Sequence, residues 1–271
     1  MTMSGQAGSS GTATENTPFY LPSGNEVRIF EAAYNNQMPV MLKGPTGCGK
    51  TRFVRHMSHI LGLPLYTVAC HDDLTSSDLV GRYLIKGGET VWVDGPVTRA
   101  VREGGICYLD EVVEARKDTT VIIHPLADDR RVLTIEKTGE EIEAPENFML
   151  VISYNPGYQH VLKDLKPSTR QRFTALDFDY PSHDGEVEIV MNESALDQNR
   201  AGQLVALGRR LRRLEDVSLE APPGTRLLVH AATLMKHGLS ARDACEASLV
   251  RPLTDDEDIR NAMIDIIEAS F

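Results

Sequence analysis

Apolar residues along this chain fall into two rhythms, which change over just beyond Pro181. Before that point the apolar runs are short and nearly continuous: PVMLKG, PLYTVAC, GICYLDE, FMLVISYNP and FTALDFDY. A strand covered on both faces shows no alternation, so these runs read as parallel strands. Helical spacing lies between them. Val27, Phe30 and Tyr34 share one face, and Phe53, Val54, Met57, Ile60 and Leu61 keep the 3.6-residue period after the first strand. This pattern predicts an α/β domain over 18–180.

Two segments break that rhythm by alternating instead. YLIKGGETVWVDG turns at Gly87–Gly88 and RRVLTIEKTGEEIEA at Thr138–Gly139, so both read as hairpin insertions, near 83–94 and 131–144. From 181 to 271 every apolar pattern is helical, as in AGQLVALGRRLRRL, TRLLVHAATLMKHG and DDEDIRNAMIDIIEASF, which predicts a small all-helical domain. The opening stretch, 1–17, is rich in Gly, Ser and Thr, and reads as a disordered leader rather than a signal peptide.

Composition narrows the class without naming it. With 271 residues, 41% hydrophobic, the chain suits one large or two modest domains. A net charge of −11 argues against a protein that coats nucleic acid. The four cysteines are scattered and form no C-x-x-C pair, which points to a reduced, cytoplasmic setting without zinc or disulfides. No run approaches the roughly 20 apolar residues of a membrane span.

The chemistry starts at Gly44-Pro45-Thr46-Gly47-Cys48-Gly49-Lys50-Thr51. This is G-x-x-x-x-G-K-[ST] between a predicted strand and a predicted helix. Its glycines let backbone amides close around phosphate oxygens; Lys50 would reach the β- and γ-phosphates, and Thr51 would ligate Mg²⁺. The expected ligands are therefore ATP and Mg²⁺. GGICYLDE ends in Asp110 and Glu111, where the first carboxylate suits the metal and the second suits a general base. Asn155, at the end of FMLVISYN, stands level with both and can orient water, or else cap the turn before Pro156. Arg170 and Arg172, in LKPSTRQRF, precede the last strand and so lie at the sheet's flank, away from their own phosphate loop. An arginine there would serve a neighbouring subunit's phosphate.

Taken together, Gly44–Thr51, CYLDE, Asn155, Arg172 before Phe173 and the helical C-terminal region resemble an AAA+ ATPase. The hairpins match the helix-2 insert and pre-sensor-1 hairpin of its MoxR branch. LKGPTGCGKTRF, VACHDDLTSSDLVGRYL, CYLDEVVEARKDTT, VISYNPGYQ, LKPSTRQRF and LDFDYP resemble the CbbQ/NirQ/NorQ group, and that likeness covers most of 19–238. The resemblance implies a five-stranded sheet in the order 5-1-4-3-2 with helices on both faces and a C-terminal helical lid. It also implies a hexameric ring, Asn155 as sensor 1, Arg172 or Arg170 as the trans finger, and Arg226 in PPGTRLLVHAA as the lid's sensor 2. The implied partner is a von Willebrand A-domain protein. CbbQ members work with CbbO on inhibited Rubisco, the client expected first; NirQ and NorQ members support assembly of nitric oxide reductase, the alternative.

Other segments carry less. His71, Asp72 and Asp73 are consecutive, so their side chains diverge, and capping or an interface suits them better than a metal. Trp92 either lines a ring's pore or packs its hairpin. GRRLRR (208–213) at helical spacing reads as a solvated face or subunit contact rather than a nucleic-acid site. Two rival functions remain. A P-loop small-molecule kinase would need no partner arginine, and a binding module that rarely hydrolyses ATP would need no Glu111.

Overall fold

The computed structural model describes residues 17–156, 165–213 and 221–271. The expected leader falls on 1–16, outside the described residues, as do the last residues of VISYNPGYQ. Nine strands are described: β1 (Val40–Lys43), β2 (Leu65–Ala69), β3 (Gly81–Lys86), β4 (Glu89–Asp94), β5 (Gly105–Asp110), β6 (Val132–Ile135), β7 (Glu140–Glu143), β8 (Phe148–Tyr154) and β9 (Thr174–Asp177). Five of them form one parallel sheet in the order β2-β5-β8-β1-β9. Counting sheet strands alone, this is 2-3-4-1-5, the expected order read from the other edge.

The continuous apolar runs follow from two-sided burial. Every residue of β8 is buried, and so are the first five of β5. Alternate residues feed opposite cores. Val40, Leu42, Ile106, Tyr108, Met149 and Val151 pack with Phe30, Phe53 and Met57, from the helices α1 (Glu26–Asn35) and α2 (Lys50–Leu61). Met41, Cys107, Leu109, Leu150 and Ile152 pack on the other face. There they meet Leu79 from α3 (Ser76–Val80), Val97 and Val101 from α4 (Pro96–Glu103), and Ile123 from α5 (Lys117–Ile123).

Both alternating segments are two-stranded antiparallel hairpins, β3–β4 and β6–β7. Arg102 of α4 ties the two insertions together, through Asp94 at 2.9 Å and a two-pronged contact with Glu140 at 2.6 and 2.7 Å. Trp92 packs against the core and Tyr83, and its indole N–H donates to Asp94 at 2.6 Å.

Past the short α6 (Pro167–Arg170) and β9, the described elements are helical. They are α7 (His183–Ser194), α8 (Gln198–Leu211), α9 (Thr225–Lys236), α10 (Ala241–Cys245) with the π-turn after it, and α11 (Glu257–Glu268). Their apolar faces meet in a separate core that includes Val190, Leu204, Leu228, Ala232, Leu249 and Met263. Among the described residues, no helix is long and apolar enough to cross a membrane.

Candidate functional site

Parallel register sets the site. β1, β5 and β8 run side by side, so the loop after Lys43, the carboxylate of Asp110 and the amide of Asn155 emerge at the same sheet edge. There they line a cavity of about 670 Å³ with Thr46 to Thr51, Glu111 and, from the first turn of α9, Arg226. Most of the residues expected at the site are thus gathered at one place. Gly44 and Pro45 contribute through their carbonyls.

Lys50 stands at the centre. Its ammonium donates to Gly44 O at 2.7 Å, Pro45 O at 2.9 Å and Asn155 Oδ1 at 2.7 Å. Burial pushes its pKa below the ordinary lysine value, while the nearby Asp110 and Glu111 carboxylates pull the other way. Asn155 also donates from Nδ2 to Thr46 Oγ1 at 3.0 Å, so it bridges both arms of the loop. The loop's curvature needs glycine where φ is positive, at +75° for Gly47 and +106° for Gly49. At Gly47 a side chain is excluded for a second reason: a Cβ would stand 2.9 Å from the Gly224 Cα at the start of α9.

The acidic pair is held from behind. Asp110 Oδ1 accepts from Tyr108 Oη at 2.7 Å and Ser153 Oγ at 2.5 Å, while Oδ2 accepts from Thr51 Oγ1 at 3.1 Å. Burial, and the Asp110 charge after it, hold the Tyr108 phenol well above its usual pKa, so it remains a donor. Glu111 turns out of the strand at φ +56°, a conformation costly for a non-glycine residue, and its amide donates to Ser153 Oγ at 3.1 Å. Thr51 and Asp110 are the hard oxygen donors that magnesium prefers, and the glycine cradle beside them suits a polyphosphate.

Tyr108 and Ser153 were not anticipated, because each is a polar residue inside an apolar run. The signal was present: they sit two residues before Asp110 and Asn155, on the same strand faces.

Arg170 and Arg172 are not among the cavity's lining residues. They sit at the end of α6 and just before β9, the strand at the sheet's edge, as expected from the sequence. The Arg172 guanidinium donates to Ser168 O at 2.9 Å. The His71 carbonyl accepts a turn bond from the Leu74 amide at 3.0 Å, and no cluster of three or more His, Cys, Asp or Glu side chains able to hold a metal ion occurs among the described residues. GRRLRR needs a correction. Arg212 is neither solvated nor left for a neighbour; its side chain is 9% exposed and paired with Glu186, which is fully buried.

Comparison with known proteins places the chain in a family. Residues 39–173 match the AAA domain (dynein-related subfamily), and 186–270 match the CbbQ/NirQ/NorQ C-terminal domain. The chain is 61% identical to Protein NorQ of Paracoccus denitrificans, over 96% of this chain and 97% of that one. It is 59% identical to the Denitrification regulatory protein NirQ of Stutzerimonas stutzeri (95% and 94%), and 55% identical to Protein CbbQ of Hydrogenophilus thermoluteolus (91% and 92%). The solved structure of NtrX from Brucella abortus shares the fold at TM-score 0.55 and 17% identity, over 96% of this chain and 62% of that protein. The chain belongs to the CbbQ/NirQ/NorQ family and is an AAA+ ATPase.

Proposed function

We propose that this ATPase is a cytoplasmic ring motor that uses ATP to remodel a client protein. In this reading 18–180 is the nucleotide-binding domain and 181–271 the lid. Lys50 and the loop amides hold the β- and γ-phosphates, Thr51 and Asp110 hold magnesium, and Asn155 fixes the Lys50 ammonium. Glu111 takes the proton of the attacking water as the bond between γ-phosphorus and bridging oxygen breaks, giving ADP and phosphate. Magnesium, when bound, neutralises charge on the phosphate oxygens. Arg226 reaches the phosphates from the lid, and Arg172 or Arg170 reaches those of a neighbouring subunit.

One observation carries the ring: the cavity gathers Thr51, Asp110, Glu111 and Arg226, yet Arg170 and Arg172 lie outside it. A hexamer is the proposed closure. Specific ATPase activity should therefore rise with protein concentration and then saturate. A monomer, sized at the lowest concentration, that hydrolyses ATP at the plateau rate would end this reading.

For the client, 61% and 59% identity to NorQ and NirQ against 55% to CbbQ favour nitric oxide reductase over Rubisco. Rubisco, the client the motifs suggested first, is the second reading, supported by the CbbQ likeness over 91% of the chain. In either case the partner is a von Willebrand A-domain protein. ATP-dependent activation of the reductase by this chain with its cognate partner would support the first reading. Reactivation of inhibited Rubisco alone would replace it.

Tyr108→Phe tests the metal assignment. Loss of one hydrogen bond behind a ligand should weaken divalent-metal binding about 10- to 100-fold. Manganese titration in the presence of ATP, followed by electron paramagnetic resonance, reads this without turnover; unchanged binding would remove Tyr108 from the metal site.

A further inference from the structure

The Glu186–Arg212 ion pair lies in the helical region, yet its contacts lead to the phosphate loop. Arg212 Nη2 donates to Glu186 Oε1 at 2.6 Å, Nη1 donates to Oε2 at 2.8 Å, and Nε donates to Pro223 O at 2.7 Å. Glu186 Oε1 also accepts from Thr225 Oγ1 at 2.6 Å. The pair therefore holds the chain on both sides of Gly224.

Gly224 is the point of contact with the loop. A Cβ there would lie 2.8 Å from the Gly47 Cα and 2.9 Å from Thr46 O. Arg226, two residues on, lines the nucleotide cavity. A second contact runs the other way. The Arg212 guanidinium stacks over the Tyr180 ring at 3.9 Å, and the Tyr180 hydroxyl donates to Thr46 O at 3.3 Å. Tyr180 occupies the short connection between β9 and α7, where sheet and helical region join.

A buried ion pair is a poor source of stability, since apolar residues of similar size often do as well, but its two-pronged geometry fixes position. The geometry points to Glu186 and Arg212, with Tyr180, as positioning residues that seat the start of α9 on the phosphate loop and thereby aim Arg226. We propose that they couple loop and lid. A shift of the Thr46 carbonyl reaches Tyr180 and Arg212, and through Glu186 it reaches Thr225 and its neighbour Arg226. This proposal rests on the reading of Arg226 as the lid's phosphate-contacting residue.

The test is a mutant cycle on ATP affinity and on kcat and KM, using R226A, the apolar pair E186L/R212M, and the triple variant. E186L/R212M should melt close to the parent, because the two charges leave together. It should nevertheless weaken ATP binding about tenfold, R226A should do the same, and the triple variant should be no worse than either alone. Y180F, which keeps the ring and loses the hydroxyl, should show a smaller loss in the same direction. If E186L/R212M does not fold, T225V, which removes one donor to Glu186, takes its place in the cycle. An effective R226A combined with a silent or fully additive pair variant would overturn the proposal and leave the reading of Arg226 intact. A silent R226A would overturn that reading; a pair defect in that background would place the pair's action on the loop itself, which also overturns the proposal.

Discussion

Glu111→Gln is expected to bind ATP as tightly as the parent protein and to hydrolyse it about 10²- to 10⁴-fold more slowly. The substitution replaces one carboxylate oxygen with an amide and keeps the side chain's shape. The strained turn at φ +56° depends on backbone contacts, chiefly the amide's bond to Ser153 Oγ, so it should survive. The groups proposed to grip phosphate and metal (Lys50, Thr51 and Asp110) are untouched. What is lost is the proposed acceptor for a proton from water. Single-turnover hydrolysis beside equilibrium nucleotide binding separates the two steps. Hydrolysis at the parental rate would remove Glu111 as base, and weakened binding would make it a ligand.

Much of this site was legible because its signals are local. A phosphate loop writes its requirements into eight consecutive residues, with glycines where φ is positive. Strands buried on both faces write theirs as unbroken apolar runs, and the five runs became the five sheet strands. Asp110 and Asn155 mark strand ends, and parallel register brings such ends to one edge.

What stayed hidden depends on distance in sequence. Glu186 and Arg212 are 26 residues apart, one in the first turn of α7 and the other just past the end of α8, each with charged neighbours. Helical spacing alone assigns such residues to solvent. Only the packing of α7 against α8 and α9 shows that Glu186 is buried, that Arg212 is largely covered, and that they face each other. Tyr108 and Ser153 were hidden differently: a hydroxyl within an apolar run reads as filler until its acceptor is known. Trp92 left packing and pore open because both need an apolar ring on a hairpin. The short distance to Asp94 and the contact with the core show the packing.

The largest effect is expected from Arg172→Ala, which should lower hydrolysis by about 10³- to 10⁵-fold while leaving ATP affinity intact. A finger must be carried rigidly to a distant phosphate, and this segment is well anchored. Leu165, Thr169 and Phe173 are buried around it, and Thr169 Oγ1 is bonded to His124 Nε2 at 3.0 Å. Arginine suits the task because its planar fork meets phosphate oxygens two at a time. Its position outside its own cavity makes a sharper demand. Rings assembled from Arg172→Ala and Glu111→Gln subunits should hydrolyse ATP although neither variant does so alone. An Arg172→Ala subunit keeps its base and can receive the arginine of a Glu111→Gln neighbour. No recovery in co-assembled rings would place the arginine in its own subunit's chemistry, or in structure alone. The parallel series with Arg170→Ala decides between the two arginines: the finger is the residue whose loss is rescued in trans.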